Sequence, residues 1–114
     1  MSVNIVAFDA ENEASIRQIR NSVFIEEQNV DAALDFDGQD KSAMHALATL
    51  DKKPIATGRM LKDGHIGRIA VLKNYRGRGL GSKIVLSLIK EAENCGYSRI
   101  YLGAQKHAVG FILD

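Results

Sequence analysis

The sequence predicts a mixed α/β domain in which an antiparallel meander leads into a parallel β-α-β unit. Three observations predict it. Three strand-like runs lie close together between residues 44 and 72, one strongly amphipathic stretch follows at 80–94, and a last apolar run returns at 99–104. A helix between two strands of one sheet makes those strands parallel neighbours through a right-handed crossover.

Each element follows in order. Val3, Ile5 and Ala7 alternate with polar or small residues, which reads as a first strand ending near Asp9. Over residues 12–27 the period changes: Ile16, Ile19 and Val23 share one side with Phe24, while Arg17, Gln18 and Arg20 fill the other, giving an amphipathic helix. Residues 29–42 carry Asp31, Asp35, Asp37 and Asp40 with little periodicity, so a loop with one helical turn is expected. Strands follow over Met44–Leu50 and Pro54–Leu61, separated by Asp51-Lys52-Lys53, and Pro54 suits a strand start or an edge. Asp63-Gly64 is a hairpin signal that joins the second of these to a third strand over His65–Leu72. The second helix shows its stripe in Leu80, Ile84, Val85, Leu88, Ile89 and Ala92, and Gly96 stands where a left-handed cap belongs. Arg99–Ala104 is the last strand.

Length and composition set bounds on function. A chain of 114 residues, 46% apolar and 25% charged, is expected to fold as a single domain over residues 1–114, because a chain of this size buries roughly two-thirds of its unfolded surface. Its net charge of +1 gives no global field for nucleic acid or an anionic membrane, so neither is an expected partner. The lone Cys95 allows no internal disulfide, and the first residues lack the pattern of a signal peptide. No apolar run approaches the roughly 20 residues that span a bilayer, so a cytoplasmic setting is expected. No metal is expected either.

The chemistry is concentrated in Ile69-Ala-Val-Leu-Lys-Asn-Tyr-Arg-Gly-Arg-Gly-Leu-Gly-Ser82. It runs from a buried strand through Gly77, Gly79 and Gly81 into a helix start. Glycines let the backbone approach a ligand, and the first turn of a helix has amides without intrahelical partners, so such a loop can wrap a phosphate. Arg76 and Arg78 add charge. A dinucleotide fingerprint read from Gly77 fails at Ser82, a P-loop fails because Gly81-Ser82-Lys83 has the wrong order, and an RGG-type RNA segment would repeat. A Gly-rich turn with solvated arginines is the bland alternative, and the flanking strand and helix argue against it.

What remains is Arg76-x-x-Gly79-x-Gly81 after an antiparallel meander and before a crossover helix. Here the sequence resembles the GCN5-related N-acetyltransferase (GNAT) superfamily, whose pyrophosphate motif is Arg/Gln-x-x-Gly-x-Gly/Ala, and the similarity runs over essentially the whole chain. Ile19-Arg20-Asn-Ser-Val23-Phe24-Ile-Glu26-Glu27-Gln28, the Asp37…Asp40…His45 spacing, Gly67-Arg68-Ile-Ala-Val71 and Ala104-Gln105 resemble the branch of small bacterial acetyltransferases of the ElaA/YjcF type.

The resemblance implies that acetyl-coenzyme A is held by Arg76, Gly77, Arg78, Gly79, Leu80, Gly81 and Ser82 at its pyrophosphate, by main-chain groups of Ile69, Ala70 and Val71 along its pantetheine arm, and by Gln105. It implies direct acetyl transfer to an amine of a small molecule or peptide. An alkyl ammonium of pKa near 10.4 is neutral in only about one molecule in 2,500 at pH 7, so a base or a desolvating pocket is needed. Glu27 is the preferred candidate base, with Glu26 and His45 as the others, although a helix-end glutamate is commonly a solvated residue and a strand histidine a core one. Relatives follow the equivalent of Ala108-x-x-Phe111 with a tyrosine acid and two further strands, whereas this chain has Ile112 and stops at Asp114. The resemblance therefore implies a GNAT fold lacking its last two strands, whose edge at 99–104 is expected to be covered by a second copy in a dimer. It also leaves a second function open, a weak or inactive relative that binds coenzyme A or another protein.

Overall fold

In the computed structural model, which describes residues 1–31 and 37–102, a five-stranded sheet has the order β1-β2-β3-β4-β5. β1 (Ser2–Val6), β2 (Met44–Leu50), β3 (Lys53–Met60) and β4 (His65–Val71) form the antiparallel meander, and β5 (Tyr101–Leu102) lies parallel to β4. The fold class read from the sequence is therefore the one observed. Of the last strand expected at 99–104, only Tyr101 and Leu102 pair, and Gly103 and Ala104 lie outside the described residues.

Successive strand residues point to opposite faces, and the two helices take one face each. α1 (Ala10–Arg20) covers the face carrying Leu47 and Ala70, with Ile16 and Ile19 buried against them. α2 (Leu80–Asn94) covers the other, where Leu80, Ile84, Val85, Leu88 and Ala92 pack on Ala46, Ala48, Ile55, Ala56, Met60 and Ile66. Small residues on β2 and β3 let α2 approach closely: a Cβ on Gly58 would lie 2.5 Å from Ile84 Cγ2 and 2.7 Å from Ile69 Cδ1.

Local chemistry fixes the element ends. Asp9 caps α1, its Oδ1 accepting from the Asn12 amide at 2.9 Å, and Glu11 and Glu13 in the first turn with Arg17 and Arg20 in the last suit the helix dipole. Asp51 and Lys52, with φ of 50° and 68°, turn β2 into β3 in the two-residue geometry that matches strand twist. α2 ends on Gly96 at φ 79°, with Tyr97 N–H to Ala92 O at 3.0 Å and Gly96 N–H to Glu93 O at 3.2 Å, the paired bonds of a left-handed C-terminal cap.

Two features depart from the sequence reading. The single helix expected over 12–27 stops its α geometry at Arg20 and continues as a π-helix over Asn21–Glu27, a wide turn of the kind that clusters at functional sites. In β4 the register changes from Thr57↔Ala70 to Arg59↔Gly67, so Arg68 and Ile69 together face Gly58 and form a bulge. Arg68 sits there at φ 51°, and it is the one residue other than glycine among the described residues that holds a positive φ inside a strand.

Candidate acyl-coenzyme A site

β4, the loop after it and the start of α2 form one continuous surface. Lys73–Tyr75 make a single 3-10 turn after β4, Gly77 and Gly79 take φ of 79° and 75°, and Gly79 is the residue that precedes α2. Side chains with a Cβ disfavour that backbone, which is why glycines stand there. A Cβ built on either glycine meets nothing within 4 Å, so the loop opens outward rather than onto protein. No side chain caps α2 and no acidic residue lies in its first turn; the first bond back is Lys83 N–H to Gly79 O at 3.1 Å, so the amides of Leu80 and Gly81 precede it. Amide donors, a helix dipole and open space together suit a diphosphate.

The arginines of the loop differ in engagement. Arg76 donates from Nε to the Val71 carbonyl at 3.0 Å and from Nη2 to Glu27 Oε2 at 2.8 Å. Arg78 lies over the Tyr75 ring, 5.5 Å from its centre. The β4 edge that leads to this loop is flanked by β5 only at His65↔Tyr101 and Ile66↔Leu102. Among the described residues, Gly67 to Val71 have no strand on that side.

A buried ionic cluster lies beneath the bulge on the α1 face. Arg20 and Arg59, 1% and 4% exposed, both donate to Asp40 Oδ1, at 2.8 and 2.9 Å. Arg59 also grips Asp37 with two bonds, Nη1 to Oδ1 at 3.0 Å and Nη2 to Oδ2 at 2.7 Å, and Arg68 Nη2 reaches Asp37 Oδ2 at 3.4 Å. Burial pushes Asp40 up, but the two guanidiniums outweigh it and hold its carboxyl below the usual range. Arg59 in turn holds Asp37 well below the ordinary carboxylate value. The sequence reading places Asp37 and Asp40 in a loop and Arg20 on the polar side of its helix, whereas Arg20 and Arg59 are buried. The available signal was the position of Arg20, four residues after Ile16 and three before Val23 and so on their face of the helix.

The expected site residues separate into groups. Ile69, Ala70 and Val71 line the β4 edge, and Arg76, Gly77, Arg78, Gly79, Leu80, Gly81 and Ser82 form the loop and helix start, so these ten are contiguous. Glu27 joins them through Arg76. Glu26 is exposed at the end of the π-helix. His45 stands apart: it is 1% exposed, stacks on Phe8 with ring centres 4.7 Å apart, and its Nε2 is 2.8 Å from the Asp40 carbonyl. Nε2–H donates there, Nδ1 has no hydrogen-bond partner, and burial pushes the imidazole below its ordinary value. Gln105 lies outside the described residues. The exposed Cys95 thiol donates to Glu91 Oε1 at 3.6 Å, and partial desolvation together with that carboxylate pushes the thiol up rather than down.

Comparison with known proteins agrees with this geometry. The profile of the acetyltransferase (GNAT) family matches residues 13–112. The uncharacterised N-acetyltransferase YjcF of Bacillus subtilis (strain 168) is 37% identical over 108 residues, covering 90% of this chain and 77% of YjcF. YyaT of the same organism is 35% identical over 117 residues, covering 97% of this chain and 78% of its own. Among solved structures, Escherichia coli ElaA superposes with a TM-score of 0.86 at 25% identity, over 99% of this chain and 84% of ElaA. An acyl-CoA N-acyltransferase from Pseudomonas aeruginosa shares the fold with a TM-score of 0.81 at 24% identity, over 97% and 82% of the two chains. With a family profile spanning most of its length and relatives of 37% and 35% identity, this chain belongs to the GNAT acetyltransferase family.

Proposed function

We propose that the chain moves the acetyl group of acetyl-coenzyme A directly to a primary amine. The observation that carries this reading is the loop from Arg76 to Ser82, where two left-handed glycines in open space precede an uncapped helix start just after β4. On this reading the loop amides bind the pyrophosphate, and Ile69, Ala70 and Val71 pair with the pantetheine arm as an added strand would. Following β4 back from the loop, the acyl end then reaches the bulge at Arg68 and Ile69.

The thioester supplies an activated acetyl group whose thiol, of pKa near 8.5, leaves readily. The amine nitrogen forms a bond to the carbonyl carbon, the carbon–sulfur bond breaks, and the amine proton is lost as the thiolate gains one. Glu27 sits at the phosphate end with its carboxylate on Arg76, so we assign it to steadying the loop rather than to the proton. His45 is sealed beneath α1 with Nε2 engaged, so no acceptor reaches it. The proton passes to water, and the rate follows the neutral fraction of the amine. Below the amine pKa, kcat/KM therefore climbs about tenfold per pH unit between pH 7 and 9. The family profile and the likeness to an N-acetyltransferase relative support turnover more than mere binding.

Thiol release from acetyl-coenzyme A across a panel of primary amines tests the proposal. Amine-dependent release is expected with at least one amine. No release with any of them, together with no thermal stabilisation by acetyl-coenzyme A, contradicts it.

A further inference from the structure

The bulge in β4 needs an account of what holds it. Arg68 adopts φ 51°, a conformation that its Cβ disfavours and that persists only where neighbours over-determine it. The other described non-glycine residues with positive φ sit in connections: Asp51 and Lys52 in a two-residue turn and Asn29 after the π-helix. Arg68 has no turn to explain it, and β3 opposes it with Gly58, which offers no side chain.

What Arg68 has is a tether. Its Nη2 meets Asp37 Oδ2 at 3.4 Å, and Asp37 is itself immobilised by the paired bonds from Arg59 at 3.0 and 2.7 Å. Arg59 is 4% exposed and is fixed to Asp40 and to the β4 register at Gly67. The Gln39 amide and Nε2 also donate to Asp37, at 3.1 and 3.3 Å, so the carboxylate is anchored from its own loop as well. The chain Arg59–Asp37–Arg68 therefore runs from the rigid centre of the sheet to the strained residue.

We propose that Asp37 is a positioning residue for the acyl end of the cosubstrate: through Arg68 it holds the β4 bulge in the shape that receives the thioester. This rests on the cosubstrate placement proposed above. Asp37 touches no reacting atom and acts through the backbone it fixes.

Coenzyme A and acetyl-coenzyme A share every group that the loop and the β4 edge would bind, and differ only at the acyl end. A residue that merely keeps the protein folded affects both alike. The test is calorimetric titration of each into the wild type, Asp37→Asn and Arg68→Met. The second variant leaves the buried Arg59–Asp37 pair intact, which guards against a simple loss of folding. Both variants are expected to bind acetyl-coenzyme A about tenfold more weakly, the scale of one released backbone strain, while their affinity for coenzyme A stays within twofold. Equal weakening of the two ligands, or no weakening of either, overturns the role of Asp37 while leaving the transferase reading in place. A wild type that binds neither ligand overturns that reading itself, and this inference with it.

Discussion

His45 shows how one buried side chain sets a condition on the whole fold. Burial keeps its imidazole neutral, with a folded pKa below the ordinary value near 6.5, so the unfolded chain takes up a proton first as pH falls. The stability it contributes is present above that ordinary value and is lost as pH falls through the folded one. The melting temperature is expected to drop between pH 7.5 and 5.5 by differential scanning fluorimetry, and His45→Gln should flatten that slope. The carboxylates act in the same direction at lower pH, since Asp37 and Asp40 are held below their ordinary values and lose their ion pairs only in acid, from about pH 4 downward. Glu27 is the contrasting case. Its ion pair with Arg76 is half-exposed on both sides and worth at most about 1 kcal/mol, so Glu27→Gln leaves the melting temperature nearly unchanged. On the proposed assignment of Glu27 to the loop, the same variant should keep kcat within a few fold; a loss of about 10²–10⁴ would reassign it as the base. The glycines of the loop were legible in the sequence because their spacing has few other uses. The buried arginines were not, since a lone Arg59 inside an apolar strand carries no mark that distinguishes a paired guanidinium from a solvated one.

At the scale of elements, the close approach of α2 to the sheet depends on Gly58. A methyl group there would press on Ile84 and Ile69, so Gly58→Ala is expected to destabilise the protein by about 1–3 kcal/mol in urea unfolding. Arg59→Met should cost about 3–5 kcal/mol, because it strips one cation from Asp40 and both main bonds from Asp37 inside the fold. A change near zero in either would show that the neighbouring elements relax around the site. The three antiparallel strands and α2 were readable because period and turn chemistry agree in each, as at Asp63-Gly64 and at Gly96. The π-helical end of α1 and the β4 bulge were not readable. Both insert one residue into a regular pattern, and the driving contacts, Arg20 with Asp40 and Arg68 with Asp37, join residues far apart in the chain.

Among the described residues, one sheet separates an apolar layer under α2 from a partly ionic layer under α1. Among the described residues no helix is long and apolar enough to cross a membrane. The topology followed from the order of elements alone, since a helix after a meander forces the next strand to run parallel. The activity proposed here requires the loop, the β4 edge and the bulge to act on one ligand, and the loop is its anchor. Gly79→Asp isolates it: the residue lies in open space before α2, and the new carboxylate would stand where phosphate belongs. Isothermal titration of acetyl-coenzyme A into the wild type and into Gly79→Asp, with matched far-UV circular dichroism, is the most direct measurement. Saturable binding by the wild type and none by the variant is the result predicted; equal affinity in the two proteins would contradict the assignment.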